Sequence, residues 1–122
     1  MSVQTTLTKN KIIEIANDVR RKFESGEVDR ELLTRLYNSY NSLDNIESFL
    51  EEANMLFPRL NCGLATLFLR EVFGDGEIVR GRYKSQNHTF LLINGDTVVD
   101  ITADQYGGPK VYVGPLREPW QN

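Results

Sequence analysis

Cys62 and His88 are the only cysteine and the only histidine in this chain of 122 residues. A lone cysteine forms no internal disulfide, which fits a reducing compartment. One Cys and one His cannot close a four-ligand zinc site, and no cofactor is expected. The chemistry these two side chains suit is nucleophilic catalysis by a thiolate, with an imidazole to carry the proton. Such a pair needs a carboxylate behind the imidazole to fix its tautomer and ring orientation. Asp100 lies inside the apolar run Val98-Val99-Asp100-Ile101, where an unpartnered carboxylate is costly. His88 is its nearest candidate partner, and Asp104 is the reserve for the third position. The plainer alternatives are a Cys62 that is only a small buried hydrophobe and a His88 that is only a strand-end residue satisfied by hydrogen bonds. A redox-sensing thiol would find no resolving cysteine within the chain.

The elements that must position these residues are legible. Ile12, Ile15, Ala16, Val19 and Phe23 fall at three- and four-residue spacing, which predicts a helix from Thr8 to Ser25-Gly26. Leu32, Leu33, Leu36, Tyr37 and Tyr40 predict a second from Asp29, and Ile46, Phe49, Leu50 and Ala53 a third from Asp44 to Leu56. Pro58 stops helical propagation. The stretch from Asn61 to Phe73 is apolar almost all round, the mark of a buried helix, and Cys62 stands at its start. A helix start offers unpaired N–H groups and the positive end of the dipole. Both favour a thiolate and both can receive an oxyanion.

The remainder reads as antiparallel sheet: strands at Glu77–Lys84, His88–Ile93, Asp96–Thr102 and Lys110–Val113, with an irregular tail from Gly114. Asn94-Gly95 is a hairpin signal, and its loop length decides whether His88 and Asp100 can meet. A two-residue Asn94-Gly95 loop pairs His88 with Ile101 and turns His88 and Asp100 to opposite faces. A three-residue loop, Ile93-Asn94-Gly95, pairs Leu92 with Asp96 and sets His88 directly opposite Asp100. The triad therefore requires an odd loop, or a bulge elsewhere. Arg80, Arg82 and Lys84 alternate on one strand and share a face, either a solvated one or a basic rim that guides an acidic protein substrate. Gly107-Gly108 is a candidate flexible lip beside the cleft. Tyr83, Tyr106, Tyr112 and Trp120 read as core or rim packing, with the lining of a cleft as the alternative.

Asn61-Cys62-Gly63 opening an apolar helix, then His88-Thr89-Phe90, then Val99-Asp100-Ile101-Thr102-Ala103-Asp104-Gln105-Tyr106, resembles the papain-like and transglutaminase-like superfamily over residues 58–120. The later motifs are most similar to small bacterial and phage transglutaminase-like proteins. The resemblance implies a helix-borne nucleophile, Cys62, packed on an antiparallel sheet that supplies His88 as general base and acid and Asp100 as orienter. Papain-like proteases often carry a Gln a few residues before the Cys, where this chain has Phe57-Pro58-Arg59-Leu60-Asn61. The Asn61 side chain is then a candidate second oxyanion donor. Gly63, Asp104 and Gln105 are further candidates for the oxyanion site or cleft. Residues 1–57 carry no resemblance.

Composition bounds the rest. Hydrophobic residues are 40% and charged residues 25%, ordinary for one globular domain. Lys plus Arg is 14 against 17 Asp plus Glu, a net charge of −3 that gives no reason to expect nucleic-acid binding. No run approaches the roughly 20 apolar residues of a membrane helix, and the N-terminal residues show no apolar signal segment. The expected fold is α+β in a single domain of 122 residues, a helical layer over 1–57 and the Cys helix with its sheet over 58–120. The expected function is a thiol enzyme on amide bonds: a protease, glutamine deamidase or transglutaminase, cytoplasmic or at work in a host cell. Its expected partner is a protein or peptide substrate, with neither nucleic acid nor membrane involved. The rival class is a non-catalytic protein-binding or inhibitor module of the same shape.

Overall fold

The computed structural model describes residues 8–40 and 45–122. Its architecture is α+β: four helices among the described residues and a five-stranded antiparallel sheet. Helix α1 spans Lys9–Ser25, with the Thr8 side chain accepting from the Lys11 N–H at its start. Its buried stripe is Ile12, Ala16, Val19 and Phe23, and one cation, Arg20, is buried among them. Helix α2 spans Arg30–Tyr40, and the Asp29 carboxylate accepts from the N–H groups of Glu31 and Leu32. Helix α3 spans Ile46–Leu56, with Asn45 capping the Ser48 N–H. The start expected at Asp44 lies outside the described residues.

Helix α4, Cys62–Phe73, is the centre of the molecule. Every residue from Leu64 to Leu69 is buried, as its apolar circumference requires. It packs on the sheet, whose strands are β1 Glu77–Tyr83, β2 Gln86–Ile93, β3 Thr97–Asp100, β4 Tyr112–Pro115 and β5 Trp120–Gln121. Their order across the sheet is β4-β3-β2-β1-β5. Two expectations are corrected. The last hairpin partner is Tyr112–Pro115 rather than Lys110–Val113. The tail is not irregular throughout, because Trp120 and Gln121 pair with Tyr83 and Arg82 on β1. Gly81 admits that strand: the Gln121 carbonyl lies where a Cβ on residue 81 would stand.

The decisive local feature is the β2–β3 connection. Asn94 and Gly95 both have positive φ, and the turn closes with the Asp96 N–H on the Ile93 carbonyl at 3.3 Å. Ile93 then pairs with Thr97, so Asp96 is the extra residue of a bulge. The Asp96 carbonyl instead accepts from Leu116, beyond β4. That one residue restores the parity that puts His88 and Asp100 on one face. The register is Leu92 to Val98 and Leu91 to Val99, which continues to Phe90 opposite Asp100. His88 and Asp100 share a face but meet diagonally, not directly opposite as the three-residue loop alone would have it.

The sheet divides two cores. Leu91, Ile93, Val99 and Ile101 join the buried faces of all four helices. On the other face Val79, Tyr83, Phe90, Leu92, Val98, Ala103 and Trp120 pack on one another with Tyr106, Tyr112 and Leu116. Among the described residues no helix is long and apolar enough to cross a membrane.

Candidate active site

Cys62 is the first residue of α4 and is half-buried. β3 ends at Asp100, so Thr89 of β2 has no strand partner on that side. The first turn of α4 fills the gap. The Thr66 hydroxyl donates to the Cys62 carbonyl at 2.6 Å and is 3.3 Å from the Thr89 carbonyl. The early end of β3 is thus what brings the helix start to the strand that carries His88.

His88 is buried, with a side-chain exposure of 0%. Its Nε2 lies 2.6 Å from Asp100 Oδ2. Its Nδ1 is buried and has no hydrogen-bond partner among the described residues. With Nε2 occupied by the carboxylate, Nδ1 is the nitrogen left for the thiol, and the two groups act on each other strongly. Burial pushes the Cys62 thiol up, but the neighbouring His88, the polar groups of Thr89 and the imidazolium charge bring it below its ordinary value. Burial pushes His88 down, yet its hydrogen bond to Asp100, the adjoining Cys62 thiol and the charges of both raise it to about 9. Both shifts run in the direction that favours a thiolate beside an imidazolium.

Asp100 is buried and accepts on both oxygens. Oδ2 takes His88 Nε2 and, at 2.7 Å, the Trp120 indole N–H. Oδ1 takes the Thr102 N–H at 2.9 Å and lies 3.4 Å from the Thr102 hydroxyl. A carboxylate satisfied on every side is held in one orientation. Trp120 was missed as a site residue because its role depends on a tail strand that no local pattern announces. It stacks on Tyr112 at 3.8 Å and meets Tyr83 edge-on at 5.0 Å. Tyr83, Phe90 and Tyr106 complete an aromatic wall around the imidazole, at 6.1, 6.2 and 5.4 Å between centroids. The Tyr106 hydroxyl donates to the Asn87 carbonyl. Burial and the charges of Cys62 and Asp100 raise Tyr106 above the usual phenol value.

The other candidates part ways. Asp104 is no alternative orienter: both its oxygens are taken by Arg20, at 2.7 and 2.8 Å. Arg20 also donates to the Ile101 carbonyl at 2.8 Å and lies over the Phe57 ring. The helical layer therefore holds the segment next to Asp100, a function nothing in its sequence announced. Asn61 is not an oxyanion donor, because its amide nitrogen is spent on the carbonyls of Ala53 and Arg59, each at 2.8 Å. Gly63 lies in the first turn of α4, beside the Tyr37 ring. The helix start has no side-chain cap, which leaves its first N–H groups open to an oxyanion. Gln105 follows Asp104 on a 3₁₀ turn, Ala103–Tyr106, and its Nε2 is buried without a partner.

Two surface expectations are also corrected. Lys84 has φ 57 and does not continue the row of Arg80 and Arg82; its amine lies by the Tyr83 ring and Gly107. Gly107-Gly108 is pinned rather than loose. Its N–H groups donate to Asp104 and Ala103, and the Tyr83 hydroxyl fills the space a Cβ on Gly108 would take. Among the described residues no group of three or more Cys, His, Asp and Glu gathers to hold a metal. No protein-family model, curated protein or solved structure matches the chain.

Proposed function

We propose that the protein is a cysteine acyl-transfer enzyme acting on amide bonds, of papain-like or transglutaminase-like kind. The observation that carries this reading is the imidazole of His88, fixed through Nε2 by a fully satisfied Asp100 and left with a buried, unpartnered Nδ1 toward the thiol. A structural histidine at this depth would have both nitrogens satisfied.

In the reaction, Cys62 Sγ attacks the carbonyl carbon of a carboxamide or peptide bond. The oxyanion is received by the free N–H groups at the start of α4. His88 gives its Nδ1 proton to the nitrogen as the C–N bond breaks, and an amine leaves. The acyl group stays on Sγ as a thioester. Water, deprotonated by His88, then releases an acid; an amine in its place yields a new amide. Asp100 holds the ring throughout. Protein and peptide amides are the substrate class, and the compartment is cytoplasmic, of the cell itself or of a host.

The test is the pH dependence of iodoacetamide alkylation at Cys62 in the wild type and in His88→Ala. The reading requires rapid alkylation below the ordinary thiol range, with the apparent pKa rising in the variant. A thiol that is slow and titrates alike in both proteins would overturn it.

A further inference from the structure

A stripe on α4 runs away from the thiol: Gly63, Leu67, Arg70 and Gly74. Gly63 lies against Tyr37 of α2. Leu67, Arg70 and Gly74 line a cleft of about 380 Å³ with Leu36 and Tyr40 of α2 and Ile78 of β1. The cleft thus begins about one helical turn from the Cys62 end of α4. Glu71 lines it too and is its one carboxylate.

One arginine, Arg70, lines this cleft, and a second, Arg80, stands beside it, two residues after Ile78 on β1 and bonded to Tyr40. Arg70 donates from Nε to the Gly76 carbonyl at 3.0 Å. Arg80 donates from Nε to the Tyr40 hydroxyl at 2.7 Å, and its guanidinium lies over the Tyr40 ring at 4.4 Å. Both are exposed. Each gives only Nε to the protein, and their Nη atoms have no partner among the described residues. A guanidinium already anchored through Nε and stacked on a ring loses little freedom when its fork meets a carboxylate. Leu36, Leu67 and Ile78 give the cleft its aliphatic lining, and Ser39 adds a hydroxyl.

We propose that this cleft is a substrate-docking site that takes an acidic side chain, flanked by an apolar one, of the protein whose amide bond reaches Cys62. The proposal rests on the enzyme reading above and adds its substrate class. Arg70 stands eight residues after Cys62 in one helix, roughly 12 Å along the axis. An extended peptide covers that distance in about three or four residues.

The test walks one glutamate along short N-iodoacetylated peptides of glycine and leucine, from the first to the fifth position, with glutamine counterparts. Alkylation of Cys62 is timed at low salt, and the Glu:Gln rate ratio is the readout because it cancels any change in the thiol itself. The expected ratio is roughly tenfold at the third or fourth position, for a charge-assisted hydrogen bond. It should fall toward one in Arg80→Gln and in 1 M salt. A ratio near one at every position, with iodoacetamide still fast, overturns the docking site and leaves the enzyme reading standing. If iodoacetamide itself is slow, the enzyme reading falls. The cleft is then judged by fluorescence anisotropy of the same glutamate peptide carrying fluorescein, where no binding, or binding undiminished in Arg80→Gln, overturns it.

Discussion

The two faces of the sheet are built by different rules. On the helix-covered face Leu91, Val99 and Ile101 meet Leu64, Phe68 and Leu69 of α4 and the stripe of α1. The contacts among these side chains are apolar, non-directional and replaceable by others of similar volume. On the far face the same strands carry His88 and Asp100, enclosed by Tyr83, Phe90, Tyr106 and Trp120. There each polar atom has one geometric task, and the aromatic rings keep water from it. The first face sets how much free energy holds the fold. The second sets which nitrogen of His88 looks at Cys62. Variants on the two faces should therefore separate stability from chemistry.

His88→Ala is the sharpest separation. Acyl transfer should fall on the order of a thousandfold with the loss of the general acid, while the chain stays folded by circular dichroism. In the wild type the rate should rise as the depressed Cys62 thiol ionises and fall again as His88 loses its proton near pH 9. Above that pH the thiolate persists, but nothing protonates the leaving amine. A pH–rate profile on a glutamine-containing peptide checks both limbs, and a profile still rising past pH 10 would contradict this assignment.

Leu69→Ala reverses the pattern. Leu69 is fully buried on α4, and truncation should cost about 3 kcal/mol of stability through lost burial and a residual cavity. Urea unfolding reads that loss. The rate per folded molecule should stay within about twofold, since Leu69 touches neither the thiol nor the imidazole cluster. A comparable loss in rate would mean that the two faces are coupled more tightly than their chemistry implies.

Arg20 joins the faces and should fail both tests. Arg20→Met leaves Asp104 and the Ile101 carbonyl without their donor, at about 2–3 kcal/mol. Because Ile101 follows Asp100 directly, the rate should also drop several-fold. Stability lost with no change in rate would reduce Arg20 to a staple.

How much of this could be read from the sequence follows the same division. The helical stripes, the helix starts at Thr8 and Asp29 and the buried character of α4 are local patterns, and the structure reproduces them. The pairing of His88 with Asp100 was reachable because parity is also local: one odd residue in the hairpin suffices, and Asp96 is that residue. What the sequence hid is long-range. Nothing near Arg20 points to a carboxylate 84 residues on. Asn61 and Asp104 had the right chemistry for the site, and only the fold shows their groups already committed to Ala53, Arg59 and Arg20. Trp120 seemed mere packing because a two-residue strand has no periodicity to detect.

Trp120→Phe is the mildest change and the one that asks most of the comparison, since it alters one hydrogen bond on the far face and little else. Phenylalanine keeps a ring against Tyr112 and Tyr83, so stability should move by about 1 kcal/mol or less. The Asp100 Oδ2 atom loses its indole donor and is left with His88 alone. A carboxylate with fewer donors accepts more strongly from those that remain, so His88 should hold its proton to a higher pH. The alkaline limb of the profile then moves above its position near pH 9. The plateau rate should fall about three- to tenfold, because the carboxylate that aims the ring is less firmly held. A loss of packing alone would lower the plateau and leave the limb in place. The direction of that limb therefore decides whether Trp120 belongs to the chemistry of the far face or only to its bulk.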